Sequence, residues 1–315
     1  MDYLKLFLDN RSTSGSGTVK VYKSAILRFL KFIQKTDLED INREDWEKYR
    51  KYLDGRNLKK SYKLNQAKYL RSFFDFVEDN LRSKHIDFFN PIPKIKFVRF
   101  NPDQGLNLKE KEEKEKDEFY TIEQMKLIFS KSNLVDYEHF MQIILLTFCG
   151  MRGSEVMSIK KDNLDLDNRY LVTGQEMNAR KSQKDLYYVF PELVANMLWD
   201  YLQIHEKKYG KDVNWLFPSH FYNHKNYAKI RSLQSFLTSL NVPFKCRTHK
   251  FRHSISRFRR ANNFSRGDRE TLSNHSSLSL EDRIYAKIPI EKRIKIYDEC
   301  FPKEYKALLL HIDSL

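Results

Sequence analysis

Three stretches of the sequence carry side chains whose types and spacing suit chemistry on an anionic group. In residues 143–166, IILLTFCGMRGSEVMSIKKDNLDL, an apolar helix ends at Gly150 and Arg152 follows two residues later. A guanidinium set just beyond a buried helix stands on a rigid platform and can meet a phosphate through two parallel hydrogen bonds. Glu155, three residues on, is placed to orient that guanidinium or to cap the next helical turn. Taken alone, G-x-R-x-x-E reads first as a structural ion pair. In residues 248–260, THKFRHSISRFRR, Thr248 is a candidate helix cap, and His249 and Arg252 lie three apart on one face. Together they present an imidazole and a guanidinium to one anion. His253 is placed to share that face, while Arg257, Arg259 and Arg260 spread around the helix. Residues 241–270 hold nine basic and two acidic side chains, which suits a phosphate-facing surface and equally a solvated one. In residues 272–287, LSNHSSLSLEDRIYAK, His275 sits in a Ser/Asn turn and Tyr285 follows ten residues later on a short helix. Such a tyrosine alone reads as packing.

The elements that must position these residues follow from periodicity. Between Thr18 and Gln34 the residues Val19, Tyr22, Ile26, Phe29, Leu30 and Ile33 share one helical face, with Lys20, Lys23, Arg28 and Lys31 mainly on the other. Further helices are expected near 43–53 and over 61–77, where Leu70, Phe73, Phe74 and Val77 recur at helical spacing. Residues 20–71 contain 15 basic and 7 acidic side chains, so this helical unit has a basic exposed surface. Pro91, Pro93 and Pro102 break the pattern, and residues 109–118 are all charged, with no apolar face to bury. A domain boundary is expected near residue 118. Beyond it Thr121 is a helix cap, an apolar helix covers 140–149, and two β-rich pieces, 170–173 and 186–190, flank a polar stretch with Arg180, Lys181 and Lys184. From Pro191 the pattern returns to helices.

Composition bounds the function. The 315 residues carry a formal net charge of +15, and a sequence pI of about 9.4 fits a polyanion partner. Hydrophobic residues make up 41%, enough for real cores. No run approaches the roughly 20 apolar residues of a membrane span, and the first residues lack the order of a signal peptide, so a cytosolic protein is expected. Cys149, Cys246 and Cys300 stand singly, without a C-x-x-C pair, which argues against a disulfide framework or a zinc module. His220 and His224 have no Cys or carboxylate partner close by in sequence, so no metal site is expected there.

Taken in order, Arg152, a lysine in a β-hairpin, His249-x-x-Arg252, His275 and Tyr285 resemble the tyrosine recombinase (phage integrase) family over the whole chain. LLTFCGMRGSEV with DNLDLD, His249 to His253, and Leu272 to His275 are similar to that family's motifs. The family's Gly before the third histidine is Asn274 here, which also visits left-handed conformations, and Tyr285 lies one residue farther from that histidine than is usual. The resemblance implies a mainly α fold with a small antiparallel β-sheet in the catalytic domain, a two-domain C-shaped DNA clamp of the DNA breaking-rejoining type. Residues 1–100 would be a helical, SAM-like core-binding domain, 101–118 a charged linker, and 119–315 the catalytic domain with a tail at 286–315.

The resemblance also implies a reaction. A phenol with a pKa near 10 is a poor nucleophile at neutral pH, so attack on a phosphodiester needs its proton removed and the charge on phosphorus neutralised. Tyr285 would attack, with Tyr297 and Tyr305 as the other tyrosines that follow. Arg152 and Arg252 would clamp the non-bridging oxygens, His275 would add a donor, and His249 would exchange the tyrosine's proton. Lys181, or Lys184 as second choice, would protonate the departing 5′-oxygen. Lys20, Lys23, Arg28, Lys184, Arg257, Arg259 and Arg260 are the candidate DNA contacts. The implied partners are double-stranded DNA bearing a recombination site and three further copies of the chain, which alone would be monomeric or dimeric. No cofactor, metal or membrane is implied. The location would be cytoplasmic, at the nucleoid or in a host cell if virus- or plasmid-encoded. A binding protein on a degenerate scaffold would lack a catalytic residue, and none is missing; a type IB topoisomerase-like enzyme is disfavoured by the short chain. The apolar tail, with Ile294, Tyr297 and Leu308 to Leu310, is free in sequence terms to dock on a neighbour or within its own chain.

Overall fold

A computed structural model describes residues 2–12, 16–35, 37–100, 118–173, 185–220, 223–274 and 288–315. They form two compact units, one from residues 2–100 and one from residues 118–315. In the first, α1 (Tyr3–Arg11), α2 (Ser16–Ile33), α3 (Arg43–Asp54) and α4 (Lys60–Arg82) pack around an aromatic core. Helix α3 starts where Asn42 accepts the Glu44 and Asp45 amides while the Asp45 carboxylate receives the Asn42 amide at 3.0 Å. Ile26 and Phe29 of α2 are buried, and Phe29 meets Tyr49 edge-to-face at 5.1 Å. Helix α4 runs five residues past the expected end, because Leu81 continues the apolar stripe of Phe74 and Val77.

The second unit is built around one helix. Helix α5 (Ile122–Val135) begins at Thr121, whose hydroxyl and the Gln124 side chain cap each other's amides. Asp136 ends it and caps α6 (Tyr137–Cys149), accepting the His139 amide at 2.9 Å. Every residue of α6 from Phe140 to Cys149 is buried, as expected of a helix apolar all round. Helices α7 (Gly153–Met157), α8 (Glu192–Tyr209), α9 (Ile230–Ser239), α10 (Thr248–Ala261), α11 (Arg266–Leu272), α12 (Ile290–Glu299) and α13 (Lys303–Asp313) follow. Helices α5, α7, α8, α9 and α10 all pack on α6.

Beside them lies an antiparallel sheet in the order β1 (Leu164–Asp165), β2 (Tyr170–Thr173), β3 (Leu186–Val189). Strands β2 and β3 are the two expected pieces, paired with Leu171 opposite Tyr188. Strand β1 was not foreseen: its two residues lie in what reads as an Asp-rich turn, too short for alternation to register.

The tail packs within its own chain. Helix α12 lies on β3 and α11, and Arg169, just before β2, meets both oxygens of Asp298 at 3.1 and 2.7 Å. Helix α13 lies on α5 and places Tyr305, Leu308 and Ile312 in the main core. Among the described residues no helix is long and apolar enough to cross a membrane. If α13 is part of this core, Leu308→Ala leaves a cavity and lowers unfolding stability by about 2–5 kcal/mol in urea titrations; an unchanged midpoint would show that the tail is not held here.

Candidate active site

The site starts at the end of α6. Gly150 takes a left-handed conformation (φ 67°), which turns the chain sharply off the helix, and a Cβ there would stand 3.0 Å from Ile255 Cγ2. Two residues later Arg152 is the N-cap of α7, and its backbone N–H donates to Glu155 Oε2 at 2.6 Å. Its Nη1 donates to Glu155 Oε1 at 2.8 Å. Glu155 therefore does both things its spacing allows, capping the turn and orienting the guanidinium. Gly153 lets α9 close over this turn, since a Cβ there would run into the Ile230 side chain.

Glu155 is fully buried, and a third donor reaches it: Tyr188 O–H from β3, 2.7 Å from Oε2. Burial alone would raise the carboxyl pKa, but hydrogen bonds from Arg152 and Tyr188 and the Arg152 charge outweigh it, so the pKa lies below the ordinary value and the group is ionised.

Helix α10 brings the second constellation to the same place. Arg252 is buried, and its Nη1 and Nη2 donate to the carbonyls of Gly150 and Ser273, each at 2.6 Å. The Gly150 oxygen is among the carbonyls that the end of α6 leaves unpaired, so the cation meets the negative end of a helix. His249 lies one turn earlier, exposed at the helix start. Burial, then the charges of His253, Arg252 and Arg152, lower its pKa, with Glu155 opposing. The imidazole is therefore mainly neutral at neutral pH. His253 is exposed, its ring 5.9 Å from that of His249. Thr248 is the first residue of the helix rather than its cap; Arg247 holds the cap position, and the Thr248 amide is served by Gln234 Oε1 at 3.4 Å.

The third constellation is described as far as Asn274, which has φ 48°, the left-handed conformation that Asn tolerates in place of Gly. Its Nδ2 donates to the Tyr187 carbonyl at 2.9 Å, and Arg293 Nη1 donates to its Oδ1 at 3.3 Å. The chain entering His275 is thus fastened to β3, α10 and α12 at once. His275, Tyr285, Lys181 and Lys184 themselves lie outside the described residues. Tyr297 and Tyr305 are buried; the Tyr297 hydroxyl donates to the Phe148 carbonyl at 3.1 Å, and burial raises both phenols' pKa.

Of the candidate DNA contacts, Lys20 and Lys23 are exposed on α2, and Arg28 is exposed with its guanidinium bonded to the Tyr62 hydroxyl and to Gln66 Oε1. Arg260 is exposed, and Arg257 is exposed with its guanidinium 3.7 Å from the Phe119 ring centre. Arg259 is a correction. It is 1% exposed, packed over the Tyr297 ring at 5.8 Å, and presents no charge to an external phosphate. Residues that sequence reasoning missed are Tyr188, Arg293 and the Ser273 carbonyl. The YY pair at 187–188 was the only available signal for the first.

The model of the phage integrase family matches residues 118–290, and that of the phage integrase SAM-like domain matches residues 1–96. Tyrosine recombinase XerC of Pediococcus pentosaceus is 26% identical over 303 residues, covering 92% of this chain and 93% of the relative. A tyrosine recombinase of Pseudothermotoga lettingae is 26% identical over 243 residues, 76% of each. Among solved structures, XerH site-specific recombinase bound to palindromic difH substrate superposes with a TM-score of 0.62 at 16% identity, over 93% of this chain and 83% of that one. The Tn1549 transposon integrase in complex with transposon right end DNA gives 0.61 at 14% identity, over 95% and 99%. These likenesses bear on the fold.

Two outcomes check the site geometry. Gly150→Ala forces a left-handed alanine against Ile255 and costs about 1–2 kcal/mol of stability in denaturant unfolding. In NMR titration the His249 ring has a midpoint below the ordinary histidine value, and His253→Ala, which removes a neighbouring positive charge, moves that midpoint upward.

Proposed function

The chain belongs to the phage integrase family, and from that premise we propose how its residues cut and rejoin DNA. It is a tyrosine-type site-specific recombinase. The observation that carries the residue assignment is the convergence of Arg152, His249 and Arg252, brought together across 102 positions of sequence by the bond from Arg252 to the Gly150 carbonyl.

In this reading Tyr285 attacks the scissile phosphate, and Arg152 and Arg252 bind the non-bridging oxygens as negative charge grows on them. The neutral His249 accepts the proton of the tyrosine hydroxyl, and His275 adds a further donor to the phosphate. Lys181, with Lys184 as the other candidate in the segment before β3, protonates the 5′-oxygen as it leaves. The product is a 3′-phosphotyrosine linkage that keeps the energy of the broken bond, so a 5′-hydroxyl from a partner strand can reverse the step without ATP or a metal. The burial of Tyr297 and Tyr305 supports Tyr285 as nucleophile, since neither can reach DNA without leaving the core.

The exposed cations Lys20, Lys23, Arg28, Arg257 and Arg260 hold the duplex through its phosphates, with residues 1–100 as the core-binding domain, 101–118 as linker and 119–315 as catalytic domain. Strand exchange through a Holliday junction takes four copies on two paired sites, the free protein being monomeric or dimeric, in the cytoplasm or at the nucleoid.

The test mixes the protein with a nicked duplex carrying a candidate site and looks for an SDS-resistant protein–DNA adduct. The native chain and Tyr297→Phe form it, and Tyr285→Phe does not. An adduct that survives Tyr285→Phe but is lost in Tyr297→Phe reverses the nucleophile assignment.

A further inference from the structure

Glu155 and Arg152 hold each other through two bonds that both arise within one four-residue turn, the amide to Oε2 and Nη1 to Oε1. Such a pair fixes its own internal geometry but not its direction relative to the rest of the domain. Direction needs a bond from elsewhere in the fold, and Tyr188 supplies one from β3, 33 residues away, at 2.7 Å. Its side chain is 1% exposed, and opposite it on β2 stands the buried Leu171, so the ring has little room to swing. The Tyr188 hydroxyl also meets the Arg252 side chain, while the carbonyl of its neighbour Tyr187 accepts the Asn274 side-chain amide.

We propose that Tyr188 is a positioning residue for DNA cleavage: its hydroxyl aims the Glu155 carboxylate, and through it Arg152, at the phosphate that Arg252 and His249 face. The proposal rests on the reading of Arg152 as a phosphate ligand. A tyrosine there for packing alone would need its ring and not its hydroxyl.

Tyr188→Phe removes only the hydroxyl. In single-turnover cleavage of the nicked duplex at saturating protein, the expected rate falls roughly tenfold to hundredfold, as for other small misplacements of a reacting group, with DNA affinity unchanged. Among the described residues, the charged and titratable groups around Glu155 include Arg152, Tyr188 and His249, with Arg252 meeting the same Tyr188 hydroxyl. With one donor gone the Glu155 carboxyl pKa rises, so the acid limb of the rate profile moves to higher pH, which a mere loss of packing would not cause. Glu155→Gln provides the second variant: Tyr188→Phe should add nothing to it, because both act on the same bond. Independent additive effects, or an unshifted acid limb with an unchanged rate, overturn the proposal. A pH titration of the ¹³C-labelled Glu155 carboxyl needs no activity at all. If the native chain forms no adduct, the functional reading fails, and this titration still decides Tyr188: a raised midpoint in Tyr188→Phe supports its positioning of Glu155, and an identical one refutes it.

Discussion

The second unit depends on how one buried cation is satisfied. Arg252 gives guanidinium hydrogens to the carbonyls of Gly150 and Ser273. Withdrawing a guanidinium from water costs several kcal/mol unless its hydrogens are met, so both carbonyls must be where they are. That condition fixes three things at once. Helix α6 must end in a left-handed turn so that the Gly150 oxygen is available. Helix α10 must lie against that end, which Ile255 packed beside Gly150 ensures. The turn before His275 must come back to α10. Arg252 is thus the point at which residues distant in sequence become one site.

The buried charges of this unit are handled in different ways, with different consequences for the surface they leave. Glu155 is met by three donors and is neutralised locally by Arg152. Arg259, two turns along α10 from Arg252, lies over the Tyr297 ring among the thiols of Cys149 and Cys300 and the phenol of Tyr305. A cation over an aromatic face recovers part of the lost hydration. All but one of those groups come from α12 and its continuation to α13, so the packing of the tail within its own chain and the burial of Arg259 are one fact.

Much of this was legible in the sequence, and the misses have definite causes. Helices α2, α3 and α6 follow from apolar spacing, and the cap at Thr121 follows from residue type. The pairing of Arg152 with Glu155 was visible in three-residue spacing. The charge of Arg259 suggests a DNA-facing surface, but its position on the helix decides otherwise. Positions 252, 255 and 259 lie on one helical face, so an inward Arg252 and Ile255 carry Arg259 inward as well. Tyr188 was hidden by its neighbour: two adjacent tyrosines in a strand point to opposite faces, and composition does not say which is inside. The Gly150 and Ser273 carbonyls were illegible in principle, since backbone acceptors carry no residue signature.

The carbonyls that hold Arg252 also bear on the charge of the site. A carbonyl dipole orients a cation and leaves its unit charge in place. Arg152 is the complementary case, paired with Glu155, which lies beneath it and away from solvent while the arginine remains part-exposed. The same field acts on His249: with Arg252, Arg152 and His253 nearby and water partly excluded, a second proton on its ring is disfavoured. A neutral imidazole is the form that can take a proton from a tyrosine hydroxyl. In the proposed reaction, the cations that stabilise the phosphate thus also keep the histidine basic until negative charge enters the site. Once a phosphate is bound, it offsets those cations and raises the affinity of His249 for the proton it must receive.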